Sequence, residues 1–218
     1  MSLILAPLTE DDIPVICRLQ ELAFSSNAIH QAMHPPGTDY VSIMLERHSS
    51  SFRNNPAARY IKMVDPATNE IASFAKWVKR DGENDRKGGG VPGPAEQKVW
   101  PAGANAALLE EFYGSMDSKS AELMGNTPHY LLSTLATHPK YQGRGAASTL
   151  LDWGTKQADA DGIPAYLEAS PDGLRLYRSR GFEERGVLDM ALEKYGGKGQ
   201  YRMVLMLRPV REPKSQSS

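Results

Sequence analysis

The segment LLSTLATHPKYQGRGAASTLLDWGTKQADADG, residues 131–162, predicts a strand, a glycine-rich turn and a helix in succession. The apolar run Tyr130–Ala136 has the length of a buried strand, and Pro139 ends it because proline has no N–H to donate to a ladder. After Ala147, apolar residues recur at helical spacing as far as Gly162, which is typical of a helix C-terminus. The rest of the chain is expected to be arranged around this unit.

The turn between that strand and that helix has the composition of an anion-binding loop. The first N–H groups of a helix have no partner within it, the helix dipole is positive at that end, and glycines let a phosphate approach the backbone. A P-loop needs Lys and then Ser or Thr after its second glycine, where this chain has Ala146 and Ala147, and a dinucleotide fingerprint needs a third glycine. The hexapeptide alone therefore leaves two interpretations open, an anion site or an ordinary turn into a helix.

Two motifs resemble those of a known family. Gln142-x-x-Gly145-x-Ala147 after a strand resembles the Q/R-x-x-G-x-G/A signature of the GNAT superfamily of acyl-CoA N-acyltransferases. Downstream, Tyr177-x-x-x-Gly181-Phe182 resembles the Tyr-x-x-x-Gly-Phe of the same family, which follows a strand and a short helix. The two motifs stand in the order that the family has, so each strengthens the other.

The resemblance implies that acetyl-CoA is the co-substrate, and it implies where coenzyme A binds. The pyrophosphate would lie on the turn formed by Gln142, Gly143, Arg144, Gly145, Ala146 and Ala147. The pantetheine arm would pair with the backbone of the preceding strand at Leu135, Ala136 and Thr137. Many members of the family contact the cofactor through an Asn after the fifth strand, whereas this chain has Ser170 and Asp172 there, so Ser170 is the substitute candidate.

Acyl transfer from a thioester to an amine requires positioning, deprotonation of the amine and a proton for the departing thiolate. Tyr177 matches the family position whose hydroxyl lies near the sulfur, and we expect it to contact coenzyme A and to supply that proton; the alternative is a ring that only packs on the sheet. Glu168 lies on the strand that should border the acceptor and is the candidate base, or else a solvated charge. His30 and His34 have a metal-like spacing without acidic or cysteine partners, so no metal site is predicted.

The remaining pattern predicts an α/β (α+β) fold, and the resemblance makes it a GNAT-like fold with a central mixed, mostly antiparallel sheet of about seven strands flanked by helices. Residues 1–208 are expected to form one domain, with an insertion at 81–126 between the third and fourth strands and a flexible tail at 209–218. Residues 25–37 are expected to be loop. Within the insertion, 81–103 is predicted to be mobile, and Ala104–Met124 is predicted to be a helix that either caps the sheet or walls the acceptor site. The other predicted strands are Leu3–Ala6, Arg59–Asp65, Ile71–Arg80, Ala165–Ala169, Phe182–Val187 and Gln200–Leu207, and further helices are expected after Thr9 and from Asp39.

Composition limits the classes of partner. The formal net charge of −1 gives no general attraction to nucleic acid or to an anionic membrane. One cysteine, Cys17, excludes an internal disulfide, and no secretory signal or long apolar run is visible, so we expect a cytoplasmic protein. The sequence thus predicts a monomeric or homodimeric, acetyl-CoA-dependent N-acetyltransferase acting on a small-molecule or peptide amine. An O-acyltransferase of the same fold and a CoA-binding regulator without turnover are the alternatives.

Overall fold

A seven-stranded sheet forms the centre of the computed structural model, which describes residues 2–82 and 100–211. The strands are β1 Ile4–Pro7, β2 Ala58–Asp65, β3 Glu70–Arg80, β4 His129–Thr137, β5 Ala165–Ala169, β6 Glu183–Ala191 and β7 Gln200–Arg208. The helices are α1 Ile13–Phe24, α2 Ala28–Met33, α3 Tyr40–Asn54, α4 Ala106–Met124, α5 Ala146–Ala160 and α6 Leu174–Ser179. The predicted mixed sheet flanked by helices is confirmed.

Among the described strands the order is β1-β2-β3-β4-β5-β7-β6, and only β4 and β5 run parallel to each other. A parallel pair needs a crossover connection, which here is the turn and helix α5 that were read from residues 131–162. The other strand pairs are antiparallel. The central unit of the sequence therefore supplies the one parallel step of the sheet.

The two faces of the sheet are covered by different helices. Helices α5 and α6 lie on one face, where the largest apolar cluster contains Trp77, Leu150 and Leu167. Helices α1 and α3 cover the β1–β4 part of the opposite face, and α4 with α2 covers β6 and β7 there. Helix α4 thus caps the sheet, and its buried residues Phe112 and Met116 pack in that cap.

Several predicted boundaries were wrong. Residues 25–37 contain a helix, α2, whose first turn is capped by the side chain of Asn27 accepting from the N–H of Ile29. Strand β6 continues to Ala191 instead of ending at Val187, because it pairs with β7 along its whole length. Contacts with distant parts of the chain create α2 and extend β6, whose local patterns are weak. Helix α3, predicted from Asp39 through Arg47 or beyond, ends at Asn54, as that prediction allows.

The predicted mobility of 81–103 and most of the predicted tail at 209–218 concern residues 83–99 and 212–218, which lie outside the described residues. In the part of the chain that the structure describes, no helix combines the length and the apolar composition needed to cross a membrane.

One close contact fixes α5 against the sheet. The indole of Trp77 on β3 donates to the carbonyl of Leu150 at 3.3 Å, and its ring lies against Gly154 on the helix. A Cβ at Gly154 would lie 2.0 Å from the Trp77 ring, whereas a Cβ at Gly114 in α4 would meet nothing within 4 Å. Trp77 is therefore core, and Gly154 is required by packing.

We expect Gly154→Ala to destabilise the fold by roughly 1–3 kcal/mol, because overpacking against Trp77 outweighs the better helix propensity of alanine. Gly114→Ala is the matched control and should stabilise by up to about 1 kcal/mol, since only propensity changes there. Chemical denaturation of both variants measures this. Equal effects of the two substitutions would contradict the packing role of Gly154.

Candidate active site

Strands β4 and β5 separate partway along their length. Their parallel register covers only Tyr130–Leu132 against Ala165–Leu167. Beyond Leu132, β4 continues to Thr137 paired with β3 on its other side, while β5 continues to Ala169 paired with β7. The facing edges of the two strands are therefore not paired with each other beyond these residues, and a gap opens in the middle of the sheet.

A β-bulge lies at the point of separation. Trp77 pairs with Leu132 and Lys76 pairs with Thr134, so Ser133 is the extra residue on β4. A bulge bends the strand that carries it and increases the local twist. The bulge therefore coincides with the place where the pairing of β4 with β5 ends.

The glycine turn closes one end of this gap. After β4, residues Pro139–Tyr141 form a short 3-10 turn, and the chain then enters α5 through Gly143 and Gly145, whose φ angles are +74° and +81°. These are left-handed conformations that glycine adopts at low cost. Neither glycine has a heavy atom within 4 Å of the position of a Cβ, so the backbone of the turn is open to a ligand.

Two cations flank the turn and both are engaged with acidic side chains. The guanidinium of Arg144 lies 5.0 Å from the centre of the Tyr141 ring and 3.7 Å from a carboxylate oxygen of Asp65. The ammonium of Lys140 donates to Glu70 at 2.7 Å, and the hydroxyl of Tyr141 donates to the same carboxylate at 2.6 Å. Arg144 is a partly exposed side chain at long ion-pair distance, which leaves it able to turn towards an anion on the loop.

Glu168 lies on β5 just beyond the point where the strands part. Leu167 and Ala169 face the α5 side, while Tyr166 and Glu168 face the side of α4. The hydroxyl of Tyr166 donates to the carboxylate of Glu168 at 3.0 Å. Burial raises the pKa of Glu168 to about 7; Tyr166 and Arg80 oppose that rise and Asp117 adds to it. A carboxylate that titrates near neutral pH is suited to accept a proton and release it again.

Tyr177 lies on the opposite face of the sheet. Its ring packs with the α5-side cluster, at 6.1 Å and edge-on to Phe182, and it occupies the space where a Cβ on Gly173 would stand. Burial raises the pKa of its hydroxyl to about 12, so the group stays protonated at neutral pH. Among the described residues its hydroxyl has no hydrogen-bond partner, which leaves it available as a donor.

Ser170, the substitute for the family's Asn, follows β5 and leads into the short turn Pro171–Gly173. Its side chain lies close enough to Tyr201 on β7 to oppose the rise that burial causes in the pKa of that tyrosine. The structure thus places Ser170 at the C-terminal end of β5, near Tyr201.

The insertion contributes one aromatic side chain near Glu168. Tyr113 on α4 stacks on Trp100 with ring centres 5.6 Å apart, and the guanidinium of Arg47 lies 5.2 Å over Trp100. Burial raises the pKa of Tyr113, and the charge of Glu168 contributes to that rise. Helix α4 therefore caps the sheet and brings Tyr113 within electrostatic reach of Glu168, whereas Phe112 and Met116 face the apolar cap.

Residues 107–184 match the family model of the acetyltransferase (GNAT) domain. This part of the chain therefore resembles a GNAT acetyltransferase domain. The match includes both motifs that were read from the sequence, so the resemblance is confirmed, and it supports an acyltransferase. No curated protein sequence matches the chain.

Solved structures share the fold at low sequence identity. Arylalkylamine N-acetyltransferase 2 from Aedes aegypti is 12% identical, with 97% of this chain and 100% of that chain covered and a TM-score of 0.69. A histone acetyltransferase HPA2 and related acetyltransferase from Corynebacterium glutamicum is 21% identical, with 98% and 99% covered and a TM-score of 0.62. NAA60 from Arabidopsis thaliana, in complex with a bisubstrate analogue, is 14% identical, with 97% and 100% covered and a TM-score of 0.56. At these identities the likeness concerns the GNAT fold.

Sequence reasoning missed the groups that surround Glu168. Tyr166, Asp117 and Arg80 come from three different elements and meet only in the folded chain. It also missed Lys76, a lysine at an inward position of β3 between the buried residues Phe74 and Val78. The signal for Lys76 was present, because a charged residue on the buried side of an alternating strand is unusual.

Proposed function

We propose that this protein transfers an acetyl group from acetyl-CoA to a primary amine of a small molecule or a peptide. The observation that carries the proposal is the gap between β4 and β5, which has the glycine turn of α5 at one end and Glu168 at its edge. A gap of this kind offers unpaired backbone groups to an extended ligand, an anion site for its phosphates and a base for its reaction partner. The buried thiol of Cys17 supports a reducing location such as the cytoplasm.

The turn residues fit the pyrophosphate of coenzyme A. The backbone amides of Gly143, Gly145, Ala146 and Ala147 belong to the open turn or to the start of α5, where helical N–H groups lack internal partners. Gln142 would add a hydrogen bond and Arg144 a positive charge. The backbone of Leu135, Ala136 and Thr137 would pair with the pantetheine arm, since that side of β4 is not paired with β5.

Glu168 and Tyr177, which lie on opposite faces of the sheet, are assigned the two proton transfers of the reaction. Glu168 accepts a proton from the amine, whose nitrogen then attacks the thioester carbonyl carbon. The new C–N bond forms, the C–S bond breaks, and Tyr177 donates its proton to the departing thiolate. Because Glu168 and Tyr177 belong to opposite faces of the sheet, only a reacting group held in the gap would meet both.

The alternatives are separated by one assay. Release of free thiol from acetyl-CoA, measured with panels of amines and alcohols, identifies an N-acetyltransferase, an O-acyltransferase or a CoA-binding protein without turnover. Product mass spectrometry then shows whether nitrogen or oxygen carries the acetyl group.

Gly145→Glu is expected to abolish or strongly weaken CoA binding, because it puts bulk and a negative charge where the phosphates would lie. Isothermal calorimetry with CoA measures the affinity. Gly196→Glu is the matched control, since Gly196 also has a positive φ, of +78°, and open space at its Cβ. Unchanged affinity in a folded Gly145→Glu protein would remove the turn from the CoA site.

The pH dependence tests Glu168. Below its pKa of about 7 the carboxyl is protonated and cannot accept a proton, so kcat/KM of the wild type should rise with pH and level off above that value. Glu168→Gln should lower kcat by about 10²–10⁴-fold. The acceptor amine also titrates, so the ratio of wild type to Glu168→Gln is the quantity to plot. A ratio that stays flat from pH 5.5 to 8.5, a range of about 1.5 units on either side of the expected pKa, would exclude Glu168 as the base.

Tyr177→Phe is expected to lower turnover while leaving CoA affinity nearly unchanged, because only the hydroxyl is lost. General acids usually contribute about 10²–10⁴-fold, and the decrease should not exceed that range, because a thiolate is a good leaving group and needs less help from an acid. Single-turnover kinetics isolate the chemical step. Wild-type rates in that measurement would assign Tyr177 to packing against Phe182.

A further inference from the structure

Lys76 is a buried lysine in the middle of β3 that the proposed reaction does not use. Its side chain is 6% exposed, and its ammonium lies 5.6 Å from the centre of the Tyr60 ring. Among residues 2–82 and 100–211, no carboxylate lies within ion-pair distance of it. Lysines are rarely buried without a paired charge, so its position requires an explanation.

The hydrogen-bond network beside Lys76 contains no acid. Gln20 donates its amide N–H to the hydroxyl of Tyr40 at 2.7 Å, and its amide oxygen lies 2.9 Å from Nε2 of His48. That oxygen can only accept, so Nε2 carries a proton, and Nδ1 accepts from the hydroxyl of Tyr60 at 3.1 Å. Burial lowers the pKa of His48 to about 3 and keeps the ring neutral. The network is internally satisfied and leaves the ammonium uncompensated.

The register of the sheet places Lys76 opposite Glu168 across β4. Lys76 pairs with Thr134 on β4, and Leu132 on β4 pairs with Leu167 on β5, so Lys76 and Glu168 are nearly level along the strands. Two strand spacings put their backbones about 10 Å apart before the gap is added. Both side chains face away from α5, Lys76 beside Phe74 and Glu168 beside Tyr166.

Other cations lie on the same side as Lys76. Burial lowers the pKa of Lys76 to about 8, and the charge of Arg80, four residues along β3, contributes to that shift. Arg47 on α3 and Lys76 both act on the pKa of His48. Glu168 and these cations therefore lie on opposite sides of β4, on the same face of the sheet. An acceptor lying across β4 would meet a carboxylate at one end and positive charge at the other.

We propose that Lys76 binds an anionic group of the acceptor, a carboxylate or a phosphate, while the amine of the same molecule lies at Glu168. The acceptor would then be an acidic amine. This inference rests on the proposed function, which it narrows from amines in general to amines that carry a negative charge. In the bound state the anion would supply the charge partner that the folded chain does not give to Lys76.

Matched amines test this at pH 7, where Lys76 is protonated. Amino carboxylic acids of increasing length are compared with their amides, and aminoalkyl phosphates with the corresponding amino alcohols. For the wild type we expect kcat/KM to favour the charged member of the best pair by roughly tenfold or more, because a charge-assisted bond to a desolvated cation is much stronger than a neutral one. The carboxylate and phosphate arms show which anion is preferred.

Three variants assign the effect to Lys76. Lys76→Met should remove the preference by raising KM for the charged acceptor with little change in kcat, and Lys76→Arg should retain most of it. Lys79→Met is the matched control: it removes the same charge from the same strand, but at a residue that is paired with Asp161 and partly exposed. Thermal unfolding should show Lys76→Met to be at least as stable as the wild type, since an uncompensated buried charge is removed.

The outcomes separate the inference from the proposed function. Equal kcat/KM for charged and neutral members in the wild type, or a preference that persists in folded Lys76→Met, overturns the role of Lys76 and leaves the N-acetyltransferase standing. If no amine is acetylated, calorimetry of the same acids and amides in the presence of desulfo-CoA decides the matter. Binding of acids that is lost in Lys76→Met supports the anion site even though the proposed function has then failed, and equal binding of acids and amides overturns the site.

Discussion

The separation of β4 from β5 is the constraint on which the rest of the structure depends. Backbone N–H and C=O groups inside a protein need partners, and a strand edge that turns away from its neighbour leaves them without a ladder. In this chain the pairing ends after three residues, at the place where β4 carries the bulge at Ser133. Helix α5 begins at the open end, and Glu168 stands on the facing edge. This arrangement is the basis for the proposal that an extended ligand binds in the plane of the sheet.

The two faces of the sheet differ in packing and in charge around that gap. The α5 side is tightly packed, as the fit of Trp77 against Gly154 shows, and it holds the ring of Tyr177. The opposite face carries charged groups: Glu168 lies on β5, on one side of β4, and Lys76 lies on β3, on the other side. Burial shifts both pKa values towards neutrality, to about 7 and about 8, because each charged form loses hydration. The same desolvation would strengthen their contacts with a substrate that excludes water.

Much of the architecture could be predicted because its signals are local. Alternation in β2 and β3, the proline after β4 and the glycines before α5 fix their elements within a few residues, and all seven strands were anticipated. Helix α2 was not, because six residues with an Asn cap leave little periodicity to detect. The end of β6 was misplaced for a different reason. Strand β6 is extended by its pairing with β7, and how far that pairing continues depends on β7, so it cannot be read from the sequence of β6 alone.

The sequence by itself determined the strand–turn–helix unit, the glycine turn and the positions of Tyr177 and Glu168, because backbone conformation and motif spacing depend on neighbouring residues. Only the tertiary structure decided that Trp77 belongs to the core, that Tyr166 bonds Glu168 and that Lys76 lies level with Glu168 across β4. Burial, desolvation and the distance between strands arise from contacts between segments far apart in the chain. The pKa values of Glu168 and Lys76 are therefore shifted only when the sheet assembles around these side chains.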